Sequence, residues 1–158
     1  AEEFRKNLKF IFDGGKSKIG IESTVVDLTG KPNILRPGII DKKAIKKILK
    51  MKIISSLNFK KIRSPGLMKK HYSPGIPMKL NQKKIINNHA FITFGKKYKN
   101  SKNIFNLSKN SNLNEAAKNL YSTLRKIKKL RFKKIYVTKI PNKGIGVAIN
   151  DRLKHAAY

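Results

Sequence analysis

Two stretches of this chain carry residue types that could build one small-molecule site. Asp13-Gly14-Gly15, then Gly20-Ile21-Glu22-Ser23-Thr24-Val25-Val26-Asp27-Leu28, then Ile34-Leu35-Arg36-Pro37-Gly38 set hydroxyls and a guanidinium on short β segments punctuated by glycine and proline. Ser64-Pro65-Gly66-Leu67-Met68-Lys69-Lys70-His71-Tyr72-Ser73-Pro74 follows as a strap carrying histidine and tyrosine. A strand hydroxyl at Ser23 or Thr24 can bond a small polar substrate. Arg36, where the chain must turn, can offer a planar fork to phosphate or carboxylate. Proline pushes the residue before it out of the helical region, so the strap is stiff and loses little entropy on ordering over a ligand. Tyr72 can stack on a base or bond a phosphate.

Each of these residues also has a plainer explanation. On spacing alone, a half-buried strand with Ser and Thr facing solvent accounts for Ser23 and Thr24 more simply. A lone Arg36 is more often a surface residue. The His71-Tyr72 strap could simply pack two domains together.

Several chemistries are set aside. His71, His89 and His155 form no metal-ligand spacing. No Gly-x-Ser-x-Gly elbow is present, and Gly14-Gly15-Lys16-Ser17 lacks the upstream glycine of a phosphate-binding loop. With 8 Asp+Glu, paired-carboxylate catalysis has little material, and the absence of cysteine removes disulfides and thiolate metal sites.

The formal net charge of +30 invites a nucleic-acid reading. The basic residues are mostly lysine, spread along the chain among many Asn and Ile, so diffuse basicity from composition explains the charge more simply. A non-catalytic basic RNA-binding module is the alternative from another class. It lacks an aromatic-laced basic stripe and a known RNA-binding motif. No apolar run approaches the roughly 20 residues that span a bilayer. The basic helix at 42–51 reads as a solvated lysine face over a buried stripe, not a membrane contact. Neither a membrane nor a secretory signal is indicated, and the cytoplasm is the default location.

The elements that must position these residues come from pattern. Ala1-Glu2-Glu3-Phe4 reads as the end of a helix already under way, so a fragment or a processed chain is expected. Residues 1–8 read as that helix tail and 9–12 as a strand. Strands are expected over 22–28 and 33–36. Asp41 caps a helix over 42–51 with Ala44, Ile45, Ile48 and Leu49 inward. Residues 62–78, with Pro65, Pro74 and Pro77, read as a linker. Beyond it, 77–80, 90–94, 103–107 and 134–138 read as strands. Asn112 with Glu115 resembles a capping box. It opens a helix with Leu113, Ala116, Ala117, Leu120, Leu124, Ile127 and Leu130 at helical spacing. A last helix spans 144–157 with Ala148, Ile149, Leu153 and Ala156 inward. The alternation argues a small parallel α/β layer.

The run Asp13-Gly14-Gly15 … Gly20-Ile21-Glu22-Ser23-Thr24-Val25-Val26-Asp27 … Leu35-Arg36-Pro37-Gly38 resembles the last part of the YrdC-like domain of threonylcarbamoyl-AMP synthases. The strap Ser64-Pro65-Gly66 … His71-Tyr72-Ser73-Pro74 resembles the linker of their two-domain form. Glu115-Ala116-Ala117-Lys118-Asn119-Leu120-Tyr121 … Leu124-Arg125, with Gly144-Ile145-Gly146-Val147-Ala148-Ile149-Asn150-Asp151-Arg152-Leu153, resembles its C-terminal domain.

The resemblance implies an α/β fold in three parts. Residues 1–61 would be the C-terminal part of a YrdC-like catalytic domain, 62–78 the linker, and 79–158 a small Rossmann-like parallel α/β accessory domain. It implies an enzyme, a nucleotidyltransferase, joining L-threonine, bicarbonate and ATP into threonylcarbamoyl-AMP and pyrophosphate, with Mg²⁺ on the ATP phosphates. A downstream transferase would carry the group to the adenosine beside a tRNA anticodon, so tRNA is met indirectly. By motif match Ser23 would contact L-threonine, and Arg36 and Tyr72 would contact ATP. No protein metal ligand is identified. Two departures stand out: the family's N-terminal Lys/Arg pair that grips phosphates has no counterpart before Asp13, and the strap reads Leu67-Met68-Lys69-Lys70 where many members have Met-Lys-Tyr-Arg. The segment alone is expected to be inactive.

Overall fold

β-branched Val25 and Val26 favour an extended backbone, and they open strand β1 (Val25–Asp27). It pairs antiparallel with β2 (Asn33–Arg36), with a register shift between Val25 and Val26 that sets Val25 opposite Arg36. In this computed structural model the described residues are 8–15, 17–54, 72–98 and 101–157. Helix α1 (Lys42–Leu49) begins where the Asp41 side chain accepts the Ala44 N–H at 2.9 Å and ends on Lys50 in the left-handed region. Ile34, Ile45 and Ile53 form a small core beneath these elements, with Val26 and Leu49 against it.

The second unit is a four-stranded sheet in the order β3-β6-β4-β5, all parallel: β3 (Met78–Lys79), β4 (Ala90–Thr93), β5 (Ile104–Asn106) and β6 (Ile135–Val137). Ala90, Ile92, Ile135 and Val137 share a core with α2 (Leu113–Lys129) and α3 (Gly146–Ala156). The expected parallel α/β layer is therefore present. The cap of α2 is a relay rather than a reciprocal box. Asn112 accepts the N–H groups of Asn114 and Glu115, while Glu115 accepts from the Ser108 hydroxyl, which itself accepts the Asn112 N–H.

Three expectations change. Residues 9–12 form no strand: no described strand lies beside them, and Phe10 and Phe12 are 82% and 97% exposed. A strand without a partner leaves its backbone ladder unmade. In α1 the expected inward stripe reduces to Ile45, with Leu49 partly covered, because Ile48 is 78% exposed and Ala44 is exposed. Leu130 falls just past α2 and is exposed, leaving Ile127 as the stripe's last buried member. The helix tail over 1–7 and the strap from Ser64 to His71 lie outside the described residues.

Buried and exposed apolar positions should respond differently to truncation. Leu120→Ala removes a fully buried α2 side chain and is expected to cost about 3 kcal/mol of unfolding free energy. Ile48→Ala is expected to stay within about 0.5 kcal/mol. Urea denaturation of the two variants checks this, and comparable losses would contradict the burial described.

Candidate functional site

The site grows from the loop that leads into β1. Gly20 has φ +76°, and a Cβ there would lie 2.4 Å from the Lys118 Cα, so only glycine lets the loop lie this close to α2. Ile21 then enters the core of the parallel unit. Gly38 closes the other side: a Cβ at that position would meet the Thr24 backbone nitrogen at 2.3 Å. Thr24 donates its hydroxyl to the Ile40 carbonyl at 2.7 Å, which ties the turn after Pro37 to β1.

Glu22 is the hub of the polar cluster. One carboxylate oxygen accepts the Arg152 Nε–H at 2.9 Å, and both oxygens lie 2.8 Å from the Tyr121 hydroxyl. Arg152, from α3, is fully buried and also donates Nη1 to Asp151 at 2.7 Å. Its guanidinium carbon lies 5.1 Å from the centre of the Tyr72 ring, a cation–π contact. Tyr72 is further stacked on Tyr121 at 5.9 Å and meets the His155 ring edge-on at 6.4 Å. Arg36 donates Nε–H to the Ser23 carbonyl at 3.1 Å and Nη2 to the Ser23 hydroxyl at 3.4 Å. It also interacts with the Tyr72 hydroxyl.

The three residues singled out from sequence, Ser23, Arg36 and Tyr72, thus come together around Glu22. Sequence reasoning missed Glu22, Tyr121, Asp151 and Arg152 as parts of the cluster. A signal existed for Arg152: it falls at the helical spacing of Ala148 and Ala156, where an apolar residue is expected.

Charges in the cluster are shifted in consistent directions. Burial works against the Glu22 anion, but the Arg152 hydrogen bond outweighs it, helped by its own backbone N–H and by Tyr121. The carboxyl therefore sits below its ordinary range. Burial also opposes the Arg152 cation, and Glu22, Tyr72 and Asp151 more than restore it. Burial and then the Glu22 hydrogen bond push the Tyr121 hydroxyl far up. Burial raises Tyr72 as well, with Arg152 and Arg36 pulling against it.

The cluster is a network of paired charges and stacked rings. Each described acid holds a structural partner. Asp13 accepts from Gly15, Asp27 from Thr29, Asp41 from Ala44, Glu115 from Ser108, and Asp151 and Glu22 from Arg152. Among the described residues no group of three His, Asp or Glu is placed to hold a metal ion. A cleft of about 530 Å³ opens beside the hub, between Ser17, Gly20 and Glu22 on one side and Lys118, Tyr121 and Arg125 of α2 on the other. No helix among the described residues is long and apolar enough to cross a membrane.

Comparison with known proteins defines the class. Residues 40–158 match the family model described as the threonylcarbamoyl-AMP synthase C-terminal domain. The chain is 30% identical to a threonylcarbamoyl-AMP synthase of Pyrococcus abyssi (strain GE5 / Orsay), over 99% of this chain and 52% of that protein. It is 29% identical to one of Bacillus subtilis (strain 168), over 93% of this chain and 48% of the relative. A solved structure of P. abyssi Sua5, a double-alanine variant at a histidine and a tyrosine, shares the fold with a TM-score of 0.72 at 23% identity, over 91% of this chain and 47% of that one. The chain belongs to the threonylcarbamoyl-AMP synthase family, as the C-terminal part of a Sua5-type protein. It spans about half the length of the relatives it matches.

The hub has a pH signature. The folded-state pKa of Glu22 lies below its ordinary value of 4.5. Its contribution to stability is therefore present above that value and lost as the pH falls through the lowered one. Wild type should melt higher than Glu22→Gln at about pH 6, and the gap should shrink as the pH falls below the ordinary carboxylate value. Melting curves of both proteins across that range decide it; a gap independent of pH would contradict the charge on Glu22.

Proposed function

We propose that this chain supplies part of the catalytic site, the strap and the accessory unit of an L-threonylcarbamoyladenylate synthase. In net terms, L-threonine, bicarbonate and ATP yield threonylcarbamoyl-AMP, pyrophosphate and water. The product would then serve a transferase that modifies tRNA. The observation that carries this reading is the convergence of Ser23, Arg36 and Tyr72 on one cluster, together with the family to which the chain belongs.

The roles come from side-chain chemistry. Arg36 has five N–H donors, and its two bonds to Ser23 do not exhaust them, so the fork can neutralise nucleotide phosphate. Ser23 offers its hydroxyl to the polar groups of threonine. Tyr72, brought in by the strap, covers the nucleotide. The chemistry is positioning and charge neutralisation, in which binding groups lower the barrier by holding reactants in line. Magnesium would ride on the ATP phosphates. Glu22, the acid nearest Ser23, is occupied by Arg152 and Tyr121, so the described residues offer the metal no cage.

Residues 1–61 would be the closing part of a YrdC-like domain, with 62–78 the linker and 79–158 the accessory unit. The exposure of Phe10, Phe12, Leu28, Ile40 and Ile48, all within residues 8–54, supports this reading, since large apolar side chains left uncovered suit an interface. The remainder of such a domain would cover it and bring most of the phosphate grip.

The full-length gene product should therefore release pyrophosphate from ATP only with threonine and bicarbonate present, and the 158-residue chain alone should not. Tyr72→Ala in the full-length protein should weaken ATP binding by about 1–3 kcal/mol and threonine binding by less. Calorimetric titration measures both. Salt-dependent tRNA binding by a protein indifferent to ATP and threonine would overturn the reading in favour of a basic RNA-binding module.

A further inference from the structure

On α3 the buried Asp151 accepts the Arg152 Nη1–H at 2.7 Å, but the rest of its surroundings on that helix are apolar. Ala148, Ile149, Leu153 and Ala156 around it are apolar and buried. Arg152 is nonetheless fully buried, and its Nη2 has no hydrogen-bond partner among the described residues. Burying a guanidinium with an open donor is costly, and an apolar side chain of similar volume would often serve packing as well. The charge does, however, reach two things outside the accessory unit. Nε holds Glu22, the neighbour of Ser23, and the guanidinium face lies against the Tyr72 ring. Tyr121 completes the grip by bonding Glu22 and stacking on Tyr72.

We propose that Arg152 is a positioning residue of the synthase site, through which the accessory unit holds the Tyr72 ring and the Glu22–Ser23 segment in one fixed relation. The proposal rests on the synthase reading above. Arg152 does not touch substrate; it acts through Tyr72 and Glu22. Contacts from Arg152, Tyr121 and His155 fix where the ring lies, and so where its hydroxyl edge points. The ordering entropy of the Tyr72 side chain is then lost on folding and not when ATP binds, so Arg152 should tighten ATP binding rather than speed the chemical step.

Two measurements test this. The first needs no activity. The chain holds 5 tyrosines, so 3-fluorotyrosine labelling gives a small set of ¹⁹F signals, with Tyr72 assigned from Tyr72→Phe. In Arg152→Met the Tyr72 signal should narrow and move toward the position of a free tyrosine, while those of Tyr98 and Tyr136 stay in place. Glu22→Gln, which keeps the volume, should move it the same way by less, and serves if Arg152→Met does not fold. A Tyr72 signal unmoved in whichever variants fold overturns the proposal.

The second uses the full-length protein. Arg152→Met should raise the KM for ATP by about tenfold, the scale of one charge-assisted contact, with kcat little changed, and Arg152→Lys should recover part of it. In a Tyr72→Ala background the same change should add little further loss, since its route is gone. Fully additive losses, or a fall in kcat with KM unchanged, overturn the positioning role. Absence of any pyrophosphate release by wild type would strike the synthase reading instead and leave the ¹⁹F result to be judged by itself.

Discussion

The joining of the two halves depends on one ion pair, between the buried Arg152 and the partly exposed Glu22. Arg152 sits in an apolar helix face with no access to water, and Glu22 comes to it from the other side of the strap, 130 residues away in sequence. A guanidinium out of water is tolerable only with good partners on most of its donors. Here it has a carboxylate on Nε, a carboxylate on Nη1 and an aromatic face. Remove Glu22 and the cation is left under-compensated; remove Arg152 and Glu22 loses the hydrogen bond that holds its carboxyl low, while Asp151 loses its partner. The pair therefore defines where the β1 segment lies on the accessory unit much more sharply than the apolar contact of Ile21 could.

Charge scarcity gives this pair its weight. Against 38 Lys+Arg the chain has 8 Asp+Glu, so each acid placed in a contact is a specific attractor in a field of like charge. Most lysines stand on solvated faces, as on α1 and α2, where they keep water around them and contribute little. The acids are used instead at turns, caps and the hub. Net charge governs how the surface meets other molecules. The few carboxylates govern how the chain is joined together.

Much of the architecture was legible because it rests on local rules. Asp41 and Asn112 announce helix starts, and the β-branched and aromatic run at Ala90–Thr93 announces a buried strand. The 3.6-residue spacing of Ala116 to Ile127 announces the face of α2. The convergence of Ser23 and Arg36 was legible too, since β1 and β2 are near neighbours in sequence. What was not legible needs contacts across the whole chain. Glu22, Tyr121 and the adjacent Asp151 and Arg152 lie far apart in sequence, and no local pattern joins them. The 9–12 segment failed for the complementary reason: its run of aromatic and β-branched residues suits a strand, but a pattern cannot supply the neighbouring backbone.

Tyr72 shows how the long-range contacts bear on the short-range ones. Its ring is fixed on three sides by Tyr121, His155 and Arg152, all from the accessory unit. Its hydroxyl edge meets Arg36, from the opposite unit. Ring-face contacts are insensitive to what the oxygen bonds, so a phosphate oxygen can compete for Arg36 without the ring leaving its seat. Burial keeps that hydroxyl protonated, with its pKa raised, and it can donate to an anion at neutral pH. Tyr72 is held in this way from the parallel unit, which contributes neither Ser23 nor Arg36 yet takes part in shaping the place where they meet.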